Sequence, residues 1–272
     1  MKNEARSIVP SDPDCIRIVQ ITDSHVYGTA DQQFKGMDTA TSLEQVVNVV
    51  KQDTEVPDLI LATGDLVHDP TTEAYSNLRR ILQSVQLPVF CLPGNHDRPA
   101  MMDDLLNTGT LSTCKSISCG EWEFCLLDSV LEDNEKGYLG AAELEFLQTR
   151  LAVSTAEYMV ICLHHQPLPI GSPWMDEMKV GNGDDLLQMI RGKPQVKCVL
   201  WGHIHQEFTS QLGQVLMLGS PATSIQFKPD TLVFELDVLP PGYRKLRFYR
   251  DGRIDSSVHW LDSSLTVRSV QW

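Results

Sequence analysis

Leu87-Pro88-Val89-Phe90-Cys91-Leu92-Pro93-Gly94-Asn95-His96-Asp97 joins an apolar run to a polar turn. The run has the length and character of a short buried strand, and Pro93 closes it. Gly94 permits a tight turn and close backbone approach. Asn95 supplies a neutral oxygen, and His96 a group that can hold or release a proton near neutral pH. Turns of this kind are common, and a single histidine in one is usually structural. The position of the other histidines and aspartates decides how this one is read.

Upstream, Ile16 to Ile21 alternates apolar with polar and β-branched residues and reads as a strand ending in Thr22-Asp23-Ser24-His25. Asp58-Leu59-Ile60-Leu61-Ala62 is a second strand, ending in Thr63-Gly64-Asp65. Helical spacing marks Asp38 to Lys51, with Thr39 or Thr41 as cap, and Thr71 to Ser84. Downstream, Pro99 to Leu106 is a short helix, Trp122 to Leu127 a strand ending at Asp128, and Gly140 to Leu151 a helix. Tyr158 to Leu163 is a strand ending in His164-His165. Asp184 to Ile190 is a helix, and Val196 to Trp201 a strand ending in Gly202-His203-Ile204-His205. Beyond these the pattern turns to consecutive strands at Val215–Leu218, Thr231–Val238, Tyr243–Tyr249 and Ser257–Leu261, with a hairpin signal at Asp251-Gly252. Residues 1–14 read as a loose arm. The expected architecture is a single α/β domain over residues 1–272, largely parallel, finished by an antiparallel β segment over 240–272.

The chain has 272 residues and is 42% hydrophobic, enough for a substantial core. It carries 22 basic against 36 acidic residues, a net charge of −14, which argues against broad nucleic-acid or anionic-membrane binding. Seven cysteines form no Cys-x-x-Cys pair, and several sit in apolar runs, so they read as buried free thiols. The polar N-terminus and the lack of a long apolar run point to the cytoplasm.

The strand ends carry Asp23 and His25, Asp65, Asn95 and His96, His164 and His165, and His203 and His205. In open α/β sheets, ligands gather outside the carboxyl ends of the strands, so these groups are expected to converge. Asp23-x-His25 and His203-x-His205 would place both members on one side of an extended segment. Mixed nitrogen and oxygen donors suit Mn, Fe, Zn or Co. The set is too large for one ion and sufficient for two about 3.5–4 Å apart if a carboxylate bridges. Two divalent ions would outweigh Asp23, Asp65 and one hydroxide, which leaves the pocket positive enough for a phosphodiester.

In this order, Asp23-x-His25, Gly64-Asp65, Gly94-Asn95-His96-Asp97, His164 and Gly202-His203-x-His205 resemble the signature of the calcineurin-like metallophosphoesterases, over residues 16 to about 206. The wording of Ile21-Thr22-Asp23-Ser24-His25, His164-His165-Gln166-Pro167-Leu168-Pro169, Gly202 to Glu207 and Gln226-Phe227-Lys228-Pro229 is closer still to the bacterial class III 3′,5′-cyclic-AMP phosphodiesterases. Gln166 stands where that subgroup often has a third histidine. The resemblance implies a four-layer α/β/β/α sandwich and two metal ions per subunit, Fe and/or Mn, with Zn or Co as substitutes. It implies that Asp23, His25 and His205 hold one ion, that Asn95, His164 and His203 hold the other, and that Asp65 bridges. It also implies that His96 is catalytic and oriented by Asp97, with the substrate met by His25, Asp65, Asn95, His96 and His205.

The implied reaction is hydrolysis of 3′,5′-cyclic AMP to 5′-AMP. The same site could instead act on a 2′,3′-cyclic nucleotide, a glycerophosphodiester or a nucleotide pyrophosphate. A third reading is a non-catalytic scaffold, which ought to have lost ligands. His68 and His259 fit no block and are read as surface or packing residues, and His165 as a core histidine. Trp122, Trp174 and Trp201 are read as core or rim, though Pro173-Trp174-Met175 could line an adenine pocket. Gln226 to Pro229 either shapes the pocket or braces a loop.

Overall fold

A computed structural model describes residues 5–262. In chain order its elements are β1 (Arg6–Ile8), β2 (Cys15–Ile21), α1 (Thr39–Lys51), β3 (Leu59–Thr63), α2 (Thr72–Gln83), β4 (Val89–Leu92), α3 (Pro99–Leu105), β5 (Leu111–Ser112), β6 (Ser116–Cys119), β7 (Trp122–Leu126), α4 (Ala141–Val153), β8 (Tyr158–Cys162), α5 (Pro173–Asp176), α6 (Gly183–Ile190), β9 (Val196–Trp201), β10 (Phe208–Leu212), β11 (Val215–Gly219), β12 (Gly242–Tyr249) and β13 (Ile254–Trp260).

The strands form two sheets, ordered β1-β6-β7-β8-β9-β11-β10 and β13-β12-β2-β3-β4-β5. Pairings among β2 to β5 and among β7, β8, β9 and β11 are parallel. Antiparallel partners β10 and β13 close one edge of each sheet. Strands β3 and β4 are buried at every position, as strands covered on both faces must be.

The period of two sorts their side chains. Ile16, Ile18, Leu59, Leu61 and Phe90 point inward to meet Trp122, Phe124, Val160 and Leu200 of the other sheet. Val19, Ile21, Ile60 and Ala62 point outward beneath Leu43, Val46 and Val50 of α1 and Leu78 and Ile81 of α2. On the far side, Met159, Ile161 and Val199 lie beneath Leu147 of α4 and Leu186 and Ile190 of α6. Three apolar layers between four structural layers give the α/β/β/α sandwich.

Several expectations change in detail. Part of the N-terminal arm is ordered, because Arg6–Ile8 adds to the free edge of β6. The α1 cap is Asp38, whose carboxylate accepts from the Thr41 amide, and neither threonine serves. Residues 231–238 form no strand. Their backbone pairs only at the single bridge between Phe227 and Leu236, and Leu232, Val233 and Val238 face solvent while Phe234 packs against Trp174 and Phe227. The C-terminal segment is antiparallel as expected, and its strand β12 lies inside the second sheet, between β13 and β2. Residues 263–272 lie outside the described residues.

Candidate metal centre

Five strand ends open toward one cavity of about 290 Å³, lined by His25, Asp65, Asn95, His96, His203 and His205, with Phe34, Trp174, Phe227 and Phe234 farther out. Asp23 and His164 lie fully buried beneath it. All seven sequence-predicted ligands therefore come together, from β2, β3 and β4 of one sheet and β8 and β9 of the other.

The local conformation that aims them is not extended. Asp23, His25, Asp65, His203 and His205 all have positive φ, between 46° and 65°. Non-glycine residues seldom adopt the left-handed region, Asp and His more readily than most, and such residues cluster where a site constrains the backbone. Each Asp-x-His and His-x-His pair converges through two left-handed turns. Two glycines make room. Gly64 sits at φ 92°, and a Cβ there would strike the His164 ring. A Cβ on Gly94 would strike Asp65 Oδ1.

Backbone groups fix the rings. Carbonyl oxygens can only accept, so a ring nitrogen bonded to one must carry the hydrogen. His164 Nδ1 donates to Thr63 O at 2.9 Å, and His205 Nδ1 to Ile225 O at 2.7 Å. Both rings therefore present Nε2 to the centre. The His203 amide donates to both carboxylate oxygens of Asp23, at 3.1 and 3.0 Å. The His96 amide donates to Asp65 Oδ1 at 2.9 Å.

The donors then fall into two sets. Asp23, His25 and His205 form one, with His205 Nε2 3.3 Å from Asp23 Oδ1 and 3.2 Å from His25 Nε2. Asp65 faces both sets, its Oδ2 3.7 Å from His25 Nε2 and its Oδ1 3.4 Å from His164 Nε2. On the second side, Asn95 Oδ1, His164 Nε2 and His203 Nε2 are buried with no hydrogen-bond partner. Buried polar atoms left without partners cost free energy, and bound cations would satisfy these three at once.

Protonation points the same way. Burial holds His25 and His203 well below the usual imidazole range, so both are neutral, as ligands must be. Burial also opposes the charged form of His164, but the Asp65 and Asp23 carboxylates outweigh it and push the ring up to about 9. Burial alone would raise Asp65, yet the His164 charge takes it well below the carboxylate range. The two carboxylates thus draw positive charge to that spot, and His164 must give up a proton before its Nε2 can serve as a ligand. The residues present fit a dinuclear metal centre.

His96 lines the cavity with its Nδ1 donating to His68 O at 2.8 Å. Asp97, expected to orient it, makes no bond to the ring. The Asp97 carboxylate accepts from the amides of Gly94, Leu66 and Val67 and from the Tyr75 hydroxyl. It braces the two ligand-bearing loops from behind. Burial and the Asp65 charge push its carboxyl up to about 6.

Two histidines read as bystanders lie at the site. His68 is half-buried, its ring 4.6 Å from that of His96 and its Nδ1 3.3 Å from His25 Nδ1. His165 packs 4.6 Å from the His203 ring, with Nδ1 on Ser129 Oγ at 2.8 Å and Nε2 unpartnered. His165 directly follows a predicted ligand, which was its available signal. His68 had only its place three residues beyond Asp65. The Gln226 side chain braces its own loop by bonding Ala222 and Ser224, while the neighbouring Phe227 stacks on His205 at 4.0 Å. Among the described residues no helix is long and apolar enough to cross a membrane.

A sandwich with a two-set Asp/His/Asn centre at its strand ends defines a metallophosphoesterase. The chain belongs to the calcineurin-like phosphoesterase family, whose model matches residues 16–207. It is 40% identical over 252 residues to a 3′,5′-cyclic-nucleotide phosphodiesterase of Nostoc sp., covering 93% of this chain and 95% of that one. It is 37% identical over 256 residues to the 3′,5′-cyclic adenosine monophosphate phosphodiesterase CpdA of Pseudomonas aeruginosa, covering 94% of each. A dimetal phosphatase from Danio rerio shares the fold, with a TM-score of 0.63 at 15% identity over 90% of this chain and 98% of that one.

Proposed function

We propose that the chain hydrolyses 3′,5′-cyclic AMP to 5′-AMP. The observation that carries this reading is Asp65, whose two oxygens face His25 and His164 in separate donor sets at the floor of an open cavity. The cyclic-nucleotide phosphodiesterase names of its relatives support the choice of substrate. Asp23, His25, His205 and Asp65 would hold one ion, and Asn95, His164, His203 and Asp65 the other. The donors are nitrogen and oxygen, with no thiolate, a set that suits Mn, Fe, Zn or Co, and the family resemblance favours Fe and/or Mn among them. When bound, the metals neutralise charge at phosphorus and bring the pKa of a bound water toward about 7.

The remaining chemistry belongs to side chains. A new phosphorus–oxygen bond forms to water as the bond to the ribose 3′ oxygen breaks, and water's proton leaves to solvent. With Nδ1–H committed to His68 O, His96 in its imidazolium form carries its second proton on Nε2, which it would give to the departing 3′ oxygen, and the proton that water releases to solvent replaces it. His25, Asp65, Asn95, His96 and His205 line the cavity where the phosphate would sit.

We further read residues 1–272 as one domain, because both sheets supply the centre. The cytoplasm is its proposed compartment, since all seven cysteines are buried free thiols. The proposed partner is a small cyclic nucleotide, with neither nucleic acid nor membrane, in keeping with the net charge of −14.

The test is steady-state turnover of 3′,5′-cyclic AMP by the full chain, chelated and then reloaded with Mn or Fe, with the product assigned by phosphorus NMR. Metal-dependent 5′-AMP is expected. A 3′-AMP product would overturn the proposal, as would inactivity on this substrate alongside turnover of a 2′,3′-cyclic nucleotide, a glycerophosphodiester or a nucleotide pyrophosphate.

A further inference from the structure

His68 stands beside the centre and belongs to neither donor set. Its backbone and its ring do separate things there. The carbonyl accepts from His96 Nδ1 at 2.8 Å. The ring turns its Nδ1 to Nδ1 of His25, at 3.3 Å. His25 points its other nitrogen into the first donor set, with Nε2 3.2 Å from His205 Nε2 and 3.7 Å from Asp65 Oδ2.

The tautomers follow from this geometry. A ring nitrogen that gives its lone pair to a metal carries no hydrogen, so His25, ligating through Nε2, keeps its hydrogen on Nδ1. His68 Nδ1 must then accept that hydrogen, and the hydrogen of the His68 ring sits on Nε2. A ligating imidazole whose outer N–H is held in this way has its orientation fixed and its basicity raised.

The acceptor is itself held in place. Tyr27, Phe34 and His96 pack around the His68 ring, with centroids at 4.6, 4.8 and 4.6 Å. The His68 amide donates to Val26 O at 3.1 Å, which ties the loop after Asp65 to the loop that carries His25. Both the ring and its backbone are therefore set against His25 by neighbours outside the donor sets.

We infer that His68 is a positioning residue for the first ion: its imidazole accepts the Nδ1 hydrogen of His25 and so aims His25 Nε2 at the metal. Its carbonyl aims His96 by the same device, so one residue orients both a ligand and the proton donor. The inference rests on the dinuclear reading of the centre. Replacing the side chain removes the hold on His25 and leaves the carbonyl where it is.

Two substitutions separate the hydrogen bond from the packing. His68→Phe keeps a ring among Tyr27, Phe34 and His96 and removes the acceptor. His68→Asn gives up the ring and puts an acceptor oxygen where Nδ1 stood, since both atoms are bonded to Cγ. The chelated full chain and both variants are titrated with Zn by calorimetry. NMR of the isotope-labelled, Zn-loaded proteins follows the histidine ring nitrogens.

The parent should bind two ions, with the ring hydrogen on Nδ1 of His25, slow to exchange with water, and on Nε2 of His68. His68→Phe should weaken one of the two ions by about 10- to 100-fold. At limiting Zn, His25 and His205 should then lose the signature of metal-bound rings while His164 and His203 keep it. His68→Asn should restore the parental affinity. A hydrogen on Nδ1 of His68 in the loaded parent overturns the inference without any variant. Parental affinity in His68→Phe, a loss shared equally by both ions, or no rescue by His68→Asn also overturns it. A parent that binds two ions and hydrolyses no cyclic nucleotide refutes the activity alone. A parent that binds none refutes the centre, and the role of His68 with it.

Discussion

His96 has one ring N–H committed to a carbonyl, so the second proton of its imidazolium form sits on Nε2, where it can be passed on. His96→Ala should slow turnover by about a hundred- to ten-thousand-fold. Metal content by elemental analysis should stay near that of the parent, because the ring belongs to neither donor set. An emptied centre would show that His96 is a ligand. Asp97 makes the opposite case. Its carboxylate satisfies three amides and a phenol behind the loops, so Asp97→Ala strands them in a buried site at about 1–3 kcal/mol per group. Thermal stability and metal retention should fall together. A variant with a parental melting temperature and only a lower kcat would restore the orienting role read from sequence. The seven ligand candidates were legible because few residue types bind such metals and each stood at a strand end. The true partner of His96 was not, since a carbonyl oxygen looks the same at every position in a sequence.

At the level of elements, alternation and helical spacing located most strands and helices, because burial of one face imposes a period. The segment 231–238 has the composition of a strand, but composition cannot supply a neighbouring edge to pair with. The left-handed ligand turns were equally hidden, because Asp and His tolerate that conformation better than most side chains but seldom adopt it unless the surrounding structure imposes it. Helix α4 shows how an element is fastened by polar chemistry that periodicity does not report. Glu123 of β7 is buried, and although burial opposes its charge, bonds from Arg150 of α4, Ser116 and Ser154 hold its carboxyl below the usual range. Arg150→Met leaves a buried carboxylate without its cation and should cost on the order of 3 kcal/mol by denaturant unfolding. Glu123→Gln removes the charge and keeps the shape, so its loss should be smaller, about 1 kcal/mol. Equal losses would mean that α4 docks through its apolar contacts alone.

For the molecule as a whole, the centre lies across the seam between the sheets. Asp23, Asp65 and Asn95 follow strands of one sheet, while His164, His203 and His205 follow strands of the other. Bound metals would therefore tie the two halves of the sandwich together at their open ends, in addition to the apolar layer between them. A ligand that binds only the folded state stabilises by mass action, about 2.7 kcal/mol for each site filled at a hundred times its Kd. In a chain of this size each kcal/mol is worth roughly 2 °C in Tm, so two filled sites should separate loaded and chelated protein by about 10 °C. The apolar layers persist without metal, so the chelated chain should still unfold cooperatively, with a midpoint that returns when Mn or Fe is restored. Calorimetry on both forms is the measurement. Coincident midpoints would mean that the strand-end donors do not bind metal in common, and the assignment of Asp65 as the shared ligand would fall with them.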